Sequence, residues 1–312
     1  MPTRPLGDSG LEVSRISLGS WRTYERISRE DGLAVMRAAR DAGITLLDDA
    51  RYNDETGTAP IPTGYSEVVF GELFRAAGWP RDRTVITNKL WWEFWPEQSA
   101  AAELDSSLGR MGFDYIDVIY ANPPEHGLGL EELVASVADL VASGRARAWA
   151  IVNWPAPMLH EASAIAARQG GSQPCAAQLP YSVVQQSPVE DADMGGALDA
   201  CGAPVVASYV LAGGLLTGKY DGDLTAGRAA GTLDTPASRT ALEAARRLRP
   251  VADSLGTSPA AVAVAFALAH PRVATALLGA TSPAQLHQNL AALDVLQRVG
   301  ADDLRALLIA SM

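Results

Sequence analysis

The sequence predicts a closed (β/α)₈ barrel preceded by an N-terminal β-hairpin, and three observations carry that expectation. Short apolar runs of strand character alternate with helical segments along the chain, and strands interleaved with helices demand a parallel sheet. Eight such runs occur in 312 residues, the arithmetic of a barrel of eight βα units. No Gly-x-Gly-x-x-Gly follows the first run, as it would in an open, doubly wound dinucleotide fold. With 48% apolar residues the chain can bury a large core, and residues 1–312 read as one barrel domain.

Residues 4 to 14 read as the hairpin, with Leu6 and Leu11 to Val13 flanking a Gly7-Asp8-Ser9-Gly10 turn, placed to plug one end of the barrel. Ile16-Ser17-Leu18-Gly19 is the first barrel strand. Ser28-Arg29-Glu30-Asp31 opens a helix that runs to Gly43 with Leu33, Met36 and Ala39 on one face. The next strands are Ile44 to Asp48 and Thr84 to Lys89. Later strands are expected at Tyr115 to Tyr120, Arg145 to Val152, Cys175 to Leu179, Pro204 to Ala207 and Val273 to Leu278. Helices are expected over about Ser66 to Ala77, Glu97 to Arg110, Leu130 to Ser143, Ala156 to Arg168 and Asp191 to Ala200, with a Pro-initiated one after Ser258. Ser282 as N-cap, Pro283 at the first turn and Gln285 mark another helix start, whose free N–H groups suit an anion. Two connections are long: Arg51 to Tyr65, and a glycine-studded one from Leu211 to Pro236 that begins Ala212-Gly213-Gly214-Leu215-Leu216-Thr217-Gly218-Lys219.

The net charge of −11 and pI near 4.8 argue against nucleic acid and against an anionic membrane surface. No apolar run approaches a bilayer span and the start lacks a signal-peptide core, so a cytoplasmic protein is expected. Cys175 and Cys201 lack metal-ligand or disulfide-framework spacing, and none of the four histidines pairs at His-x-His or His-x-x-x-His spacing. No metal is expected.

In a barrel the chemistry lies where the strands end. Reading those ends yields Ser20 with Trp21, Asp48, Lys89, Asn122, Asn153, Gln178, Ser208 with Tyr209, and Gly279. The set holds amides, one acid and one lysine, which suits a neutral carboxamide better than a metal. The lysine is telling, because the chain has two, Lys89 and Lys219, against 23 arginines. A compact ammonium can crowd a phenol in a way that guanidinium cannot. Trp91 and Trp92 follow Lys89 and read as pocket walls for an apolar or aromatic substrate, or as core beneath that loop.

Taken in order, Leu6-Gly7 to Leu11-Val13-Ser14, Leu18-Gly19-Ser20-Trp21, Asp48-Asp49-Ala50, Ser66-Glu67, Asn88-Lys89, Asp114-Tyr115-Ile116-Asp117, Gly144-Arg145-Ala146-Arg147, Asn153, Gln178, Leu211 to Gly218 and Gly279 to Asn289 resemble the aldo-keto reductase family over nearly the whole chain. The resemblance implies a barrel that binds an extended nicotinamide dinucleotide and reduces carbonyls to alcohols. Of that family's Asp, Tyr, Lys and His, Asp48 and Lys89 match directly. Tyr52 stands one residue nearer the acid than usual, and Tyr65 is the alternative proton donor. Asn122 takes the place of the histidine, with His126 four residues further on. Lys89, held by Asp48, is expected to lower the phenol pKa toward working pH, and Asn122 to donate a hydrogen bond to the substrate oxygen.

The resemblance also assigns Asn153 and Gln178 to the cofactor carboxamide, and Ser208 with Tyr209 to its ring. Ser20, Trp21, Leu211, Gly213, Leu215, Gly279, Thr281, Gln285 and Asn289 complete the expected cofactor contacts. Trp21, Trp91 and Trp92 are the expected substrate walls. NADP(H) is the expected cofactor and NAD(H) the second choice, since Gly279, Ala280, Thr281 and Gln285 stand where relatives place Lys, Ser or Arg. Arg228 is a candidate for the missing cation. The expected activity is NAD(P)H-dependent reduction of an aldehyde, ketone or related double bond in a small-molecule carbonyl substrate. A non-catalytic nucleotide-binding barrel and a Lys89 Schiff-base lyase are the alternatives.

Overall fold

The computed structural model describes residues 1–221 and 233–311. β1 (Thr3–Pro5) and β2 (Glu12–Ser14) pair antiparallel as the hairpin. The barrel strands are β3 (Ile16–Gly19), β4 (Leu46–Asp48), β5 (Val85–Leu90), β6 (Ile116–Ala121), β7 (Ala146–Val152), β8 (Ala177–Pro180), β9 (Val205–Ser208) and β10 (Val273–Leu278). They run parallel in chain order, and β10 closes on β3, so all eight expected strands form the expected closed barrel.

The helices between them are α1 (Arg29–Asp41), α2 (Tyr65–Ala76), α3 (Ala100–Met111), α4 (Leu130–Ala142), α5 (Ala156–Gln169), α6 (Ser187–Glu190), α7 (Ala192–Cys201), α8 (Pro236–Ser254) and α9 (Pro259–Ala269). After β10 come α10 (Pro283–Leu290), α11 (Ala292–Val299) and α12 (Ala301–Ser311). Local chemistry accounts for five starts: Ser28, Ser99, Thr235, Ser258 and Ser282 each accept a hydrogen bond from the amide three residues on. The third helix begins at Ala100 rather than Glu97, because Ser99 is the cap. The α6, α8, α11 and α12 helices were not expected. The buried face of α8 is mostly alanine, which leaves a weak apolar stripe between many arginines.

Strand alternation sorts the side chains. Along β7, Ala148, Ala150 and Val152 face the barrel interior, while Trp149 and Ile151 pack outward under the helices. Tyr120 fills the interior beside Ala150, its register partner on β7. Leu6, Leu11 and Val13 of the hairpin close the floor against Cys175 and Ala176. Gly7 has φ +56°, and a Cβ there would lie 2.6 Å from the Cys175 carbonyl oxygen, so the turn sits directly on the barrel. Apolar all round, α9 is buried along its length, the signature of a core helix. Among the described residues no single helix is long and apolar enough to cross a membrane.

Candidate active site

Strand periodicity points Asp48, Thr87 and Lys89 into the barrel mouth, where they meet. Lys89 Nζ lies 2.7 Å from Asp48 Oδ2 and 3.2 Å from Tyr52 Oη. Thr87 Oγ1 donates to Asp48 Oδ1 at 2.6 Å, and Gln178 Nε2 donates to the same oxygen at 3.2 Å. The acid and the amine are both buried, at 3% and 6% side-chain exposure, so each needs the other to offset desolvation. Because the ammonium donates to the phenol oxygen, the Tyr52 hydroxyl hydrogen is left to point elsewhere.

The phenol does not behave as the sequence suggested. Its pKa is held well above the ordinary tyrosine range, by burial first and then by the carboxylates of Asp48 and Asp49. The Lys89 charge is largely matched by Asp48, so it does not overcome those effects. Tyr52 therefore keeps its proton across neutral pH. Asp49, the next residue, faces outward and is fully buried, with Ser20 Oγ donating to its Oδ1 and its Oδ2 unpartnered. Burial and the Glu67 charge push its pKa well up.

A cavity of about 1690 Å³ opens over this centre. The ends of β3 to β6 and the connections after them contribute Trp21, Tyr52, Lys89, Trp91 and Asn122 to its lining, with the Trp91 ring edge-on to Tyr52 at 6.1 Å between centroids. Those of β7 to β9 contribute Asn153, Gln178, Ser208, Tyr209, Leu211, Gly213, Gly214 and Thr217. The connection after β10 and the helix it opens contribute Gly279, Thr281, Gln285 and Asn289. With one Nε2 hydrogen given to Asp48, Gln178 keeps its second N–H and its Oε1 for other partners. Gly213 and Gly214 turn with φ of +68° and +95°, which brings their backbone close to the cavity.

Several expected residues fall elsewhere. Ser20 is 1% exposed with its hydroxyl committed to Asp49, and Leu215 is 5% exposed in the core, so neither reaches the cavity. Trp92 is 1% exposed and donates Nε1 to the Asn122 carbonyl at 3.0 Å; it supports the floor of the pocket and does not line it. Tyr65 opens α2 outside the cavity, its hydroxyl receiving Arg29 Nη2 at 3.0 Å. His126 is exposed beside Glu125. Asn122 Nδ2 donates to the Leu90 carbonyl at 2.9 Å, continuing the β5–β6 edge, so only its second N–H and its Oδ1 are left for a ligand. Arg228 lies outside the described residues.

The structure adds residues that sequence reasoning did not name as site residues. Lys219 and Arg249 line the cavity beside the glycine loop: a Cβ on Gly214 would touch Lys219 Nζ at 3.4 Å, and Arg249 Nη2 donates to the Gly218 carbonyl at 3.3 Å. The scarcity of lysine was a usable signal for Lys219; none pointed to Arg249, which comes from α8. Among the described residues no group of three His, Cys, Asp or Glu is placed to hold a metal ion. Among the described residues six non-glycine ones have positive φ, namely Arg22, Trp92, His126, Asn153, Tyr209 and Ala212, and all follow barrel strands on the cavity side. Backbone strain of this kind gathers at functional faces.

The fold and this face together define a (β/α)₈ barrel whose polar groups are assembled at the carboxyl ends of its strands. The chain belongs to the aldo/keto reductase family, whose model matches residues 15–306. It is 31% identical to a protein of Schizosaccharomyces pombe provisionally described as a voltage-gated potassium channel subunit beta, over 98% of this chain and 92% of that protein. It is 30% identical to a protein of Oryza sativa subsp. japonica with a like provisional description, over 95% of this chain and 92% of that one.

Proposed function

We propose that this protein is an NAD(P)H-dependent reductase of small carbonyl compounds, with Tyr52 as the proton donor. The observation that carries the reading is the single hydrogen-bonded chain from Asp48 through Lys89 to Tyr52 at the barrel mouth. A phenol that holds its proton at neutral pH, yet sits against an ammonium, is suited to release that proton only as charge develops on a substrate oxygen. Asp48 fixes the ammonium, and Lys89 stabilises the phenolate that forms.

The described residues fit a nicotinamide dinucleotide. Asn153 and Gln178 Oε1 suit the carboxamide, Tyr209 the ring edge, the Gly213–Gly214 backbone with Lys219 and Arg249 the phosphates, and Thr281, Gln285 and Asn289 the adenosine end. When bound, the reduced cofactor supplies the hydride to the carbonyl carbon. Tyr52 delivers the proton to the carbonyl oxygen, so one C=O becomes one CH–OH. NADPH is the preferred form on family grounds and NADH the second, since Lys219 and Arg249 beside the glycine loop would meet the pyrophosphate that both carry. Trp21 and Trp91 favour an apolar or aromatic carbonyl.

A Schiff-base role for Lys89 is less well supported, since an ammonium donating to both Asp48 and Tyr52 presents no lone pair. A second reading, a nicotinamide-nucleotide-binding barrel with little turnover, is favoured by Asn122, whose amide is engaged with Leu90. Steady-state oxidation of NADPH with a panel of aromatic and aliphatic aldehydes separates them. Tyr52→Phe is expected to lower kcat by about 10²–10⁴-fold, while Tyr65→Phe retains activity. Equal activity in both variants removes Tyr52 from the role.

A further inference from the structure

The separation of Lys89 from Tyr52 depends on two backbone segments that do not pair with each other, one a strand and one a loop. The last register pair of the β4–β5 ladder is Asp48 with Thr87, so the two strands part just where Lys89 begins. At that point the Asn88 side chain replaces a strand partner: its Oδ1 accepts from the Lys89 backbone N–H at 2.6 Å. Asn88 faces away from the barrel, and its Nδ2 donates to Glu67 Oε1 at 2.8 Å. Glu67 is fully buried and pairs through its other oxygen with Arg110 of α3.

The same turn of α2 grips the loop that carries the phenol. Gly64 N donates to the Tyr52 carbonyl at 2.9 Å, and Ser66 Oγ donates to the Ala50 carbonyl at 2.7 Å. Gly64 has φ +75°, and the Arg110 side chain lies where its Cβ would stand, so Arg110 presses on both halves of the arrangement. A buried carboxylate is costly unless it is paired and hydrogen-bonded, and here Asn88 and Arg110 meet that need.

We infer that Glu67 and Asn88 are positioning residues for the reductase reaction: with Gly64 and Ser66 they form a staple at the start of α2 that sets the Lys89-to-Tyr52 distance. Neither touches the cavity. The inference rests on the proposed function for its kinetic meaning, but its geometry is testable without turnover.

The test compares the parent with Asn88→Ala and Glu67→Gln by crystallography and by steady-state kinetics with NADPH and an aromatic aldehyde. The expected result is a Lys89 Nζ to Tyr52 Oη separation longer than the parent's 3.2 Å, with kcat lowered about tenfold or more and KM and NADPH affinity within about twofold. A role in stability alone would leave that distance and kcat unchanged in the folded variant, and this result overturns the inference. Should both variants fail to fold, Ser66→Ala removes one hydrogen bond from the same staple; unchanged kcat and distance there overturn it equally. Should the parent reduce nothing while the distance lengthens as expected, the proposed function fails and the staple stands.

Discussion

Asp48 gathers hydrogen bonds from Thr87, Gln178 and Lys89, and only the lysine and the glutamine stood out in the sequence as site residues. Thr87 reads as an ordinary strand residue until its neighbours are known. Lys89→Met should abolish reduction while leaving dinucleotide affinity nearly unchanged. It should also destabilise the protein by about 3–5 kcal/mol, because Asp48 stays buried without its partner; enzyme assay, titration and urea unfolding check the three parts. Asp49 offers a pH test. Its pKa is raised in the folded state by burial and by Glu67, so between the unfolded carboxyl value and the folded one the native state binds more protons than the unfolded state. Its contribution is therefore whole at low pH and is lost as pH climbs toward the folded value. Asp49→Asn should match the parent near pH 4 and gain on it as pH rises to 7, read as the difference in unfolding free energy across a urea series. A difference that does not change with pH would contradict the raised pKa of this buried acid.

Elements were most legible where a cap and an apolar period coincide. Ser28, Ser258 and Ser282 announce α1, α9 and α10 by residue type alone, since an N-cap bond reaches only three residues. The C-terminal helices were harder. The α12 helix docks through Arg305, whose guanidinium donates to Tyr181 Oη at 2.7 Å and Glu190 Oε1 at 2.9 Å, partners more than a hundred residues away. Helix packing is similarly non-local: Gly71 of α2 lies against the Met111 carbonyl at the end of α3, leaving no space for a Cβ. Gly71→Ala should improve local helix propensity by up to about 1 kcal/mol yet lower overall stability, because α2 must move off α3. A thermal melt decides it, and an unchanged or raised Tm would mean that the contact is slack. The same shift would disturb Glu67 one turn earlier, so reduced activity should accompany reduced stability.

For the molecule as a whole, a dinucleotide that binds the closed barrel and not the unfolded chain must stabilise it by mass action. At a hundredfold excess over Kd, NADPH should add about 2.7 kcal/mol to the unfolding free energy, visible as a rise in Tm that grows with ligand concentration. No shift with either NADPH or NADH would remove the nucleotide site. What the sequence by itself determined is the order of the eight barrel strands, the helices whose caps and apolar period coincide, and the placement of Asp48 and Lys89 at strand ends, because strand period and helix caps are properties of a few consecutive residues. Only the tertiary structure decided that Tyr52 meets Lys89 while Tyr65 turns to Arg29, that Ser20 bonds outward to Asp49, and that Arg249 reaches the glycine loop. Those outcomes depend on side chains in connections, whose directions are set by contacts between segments that barrel closure alone brings together.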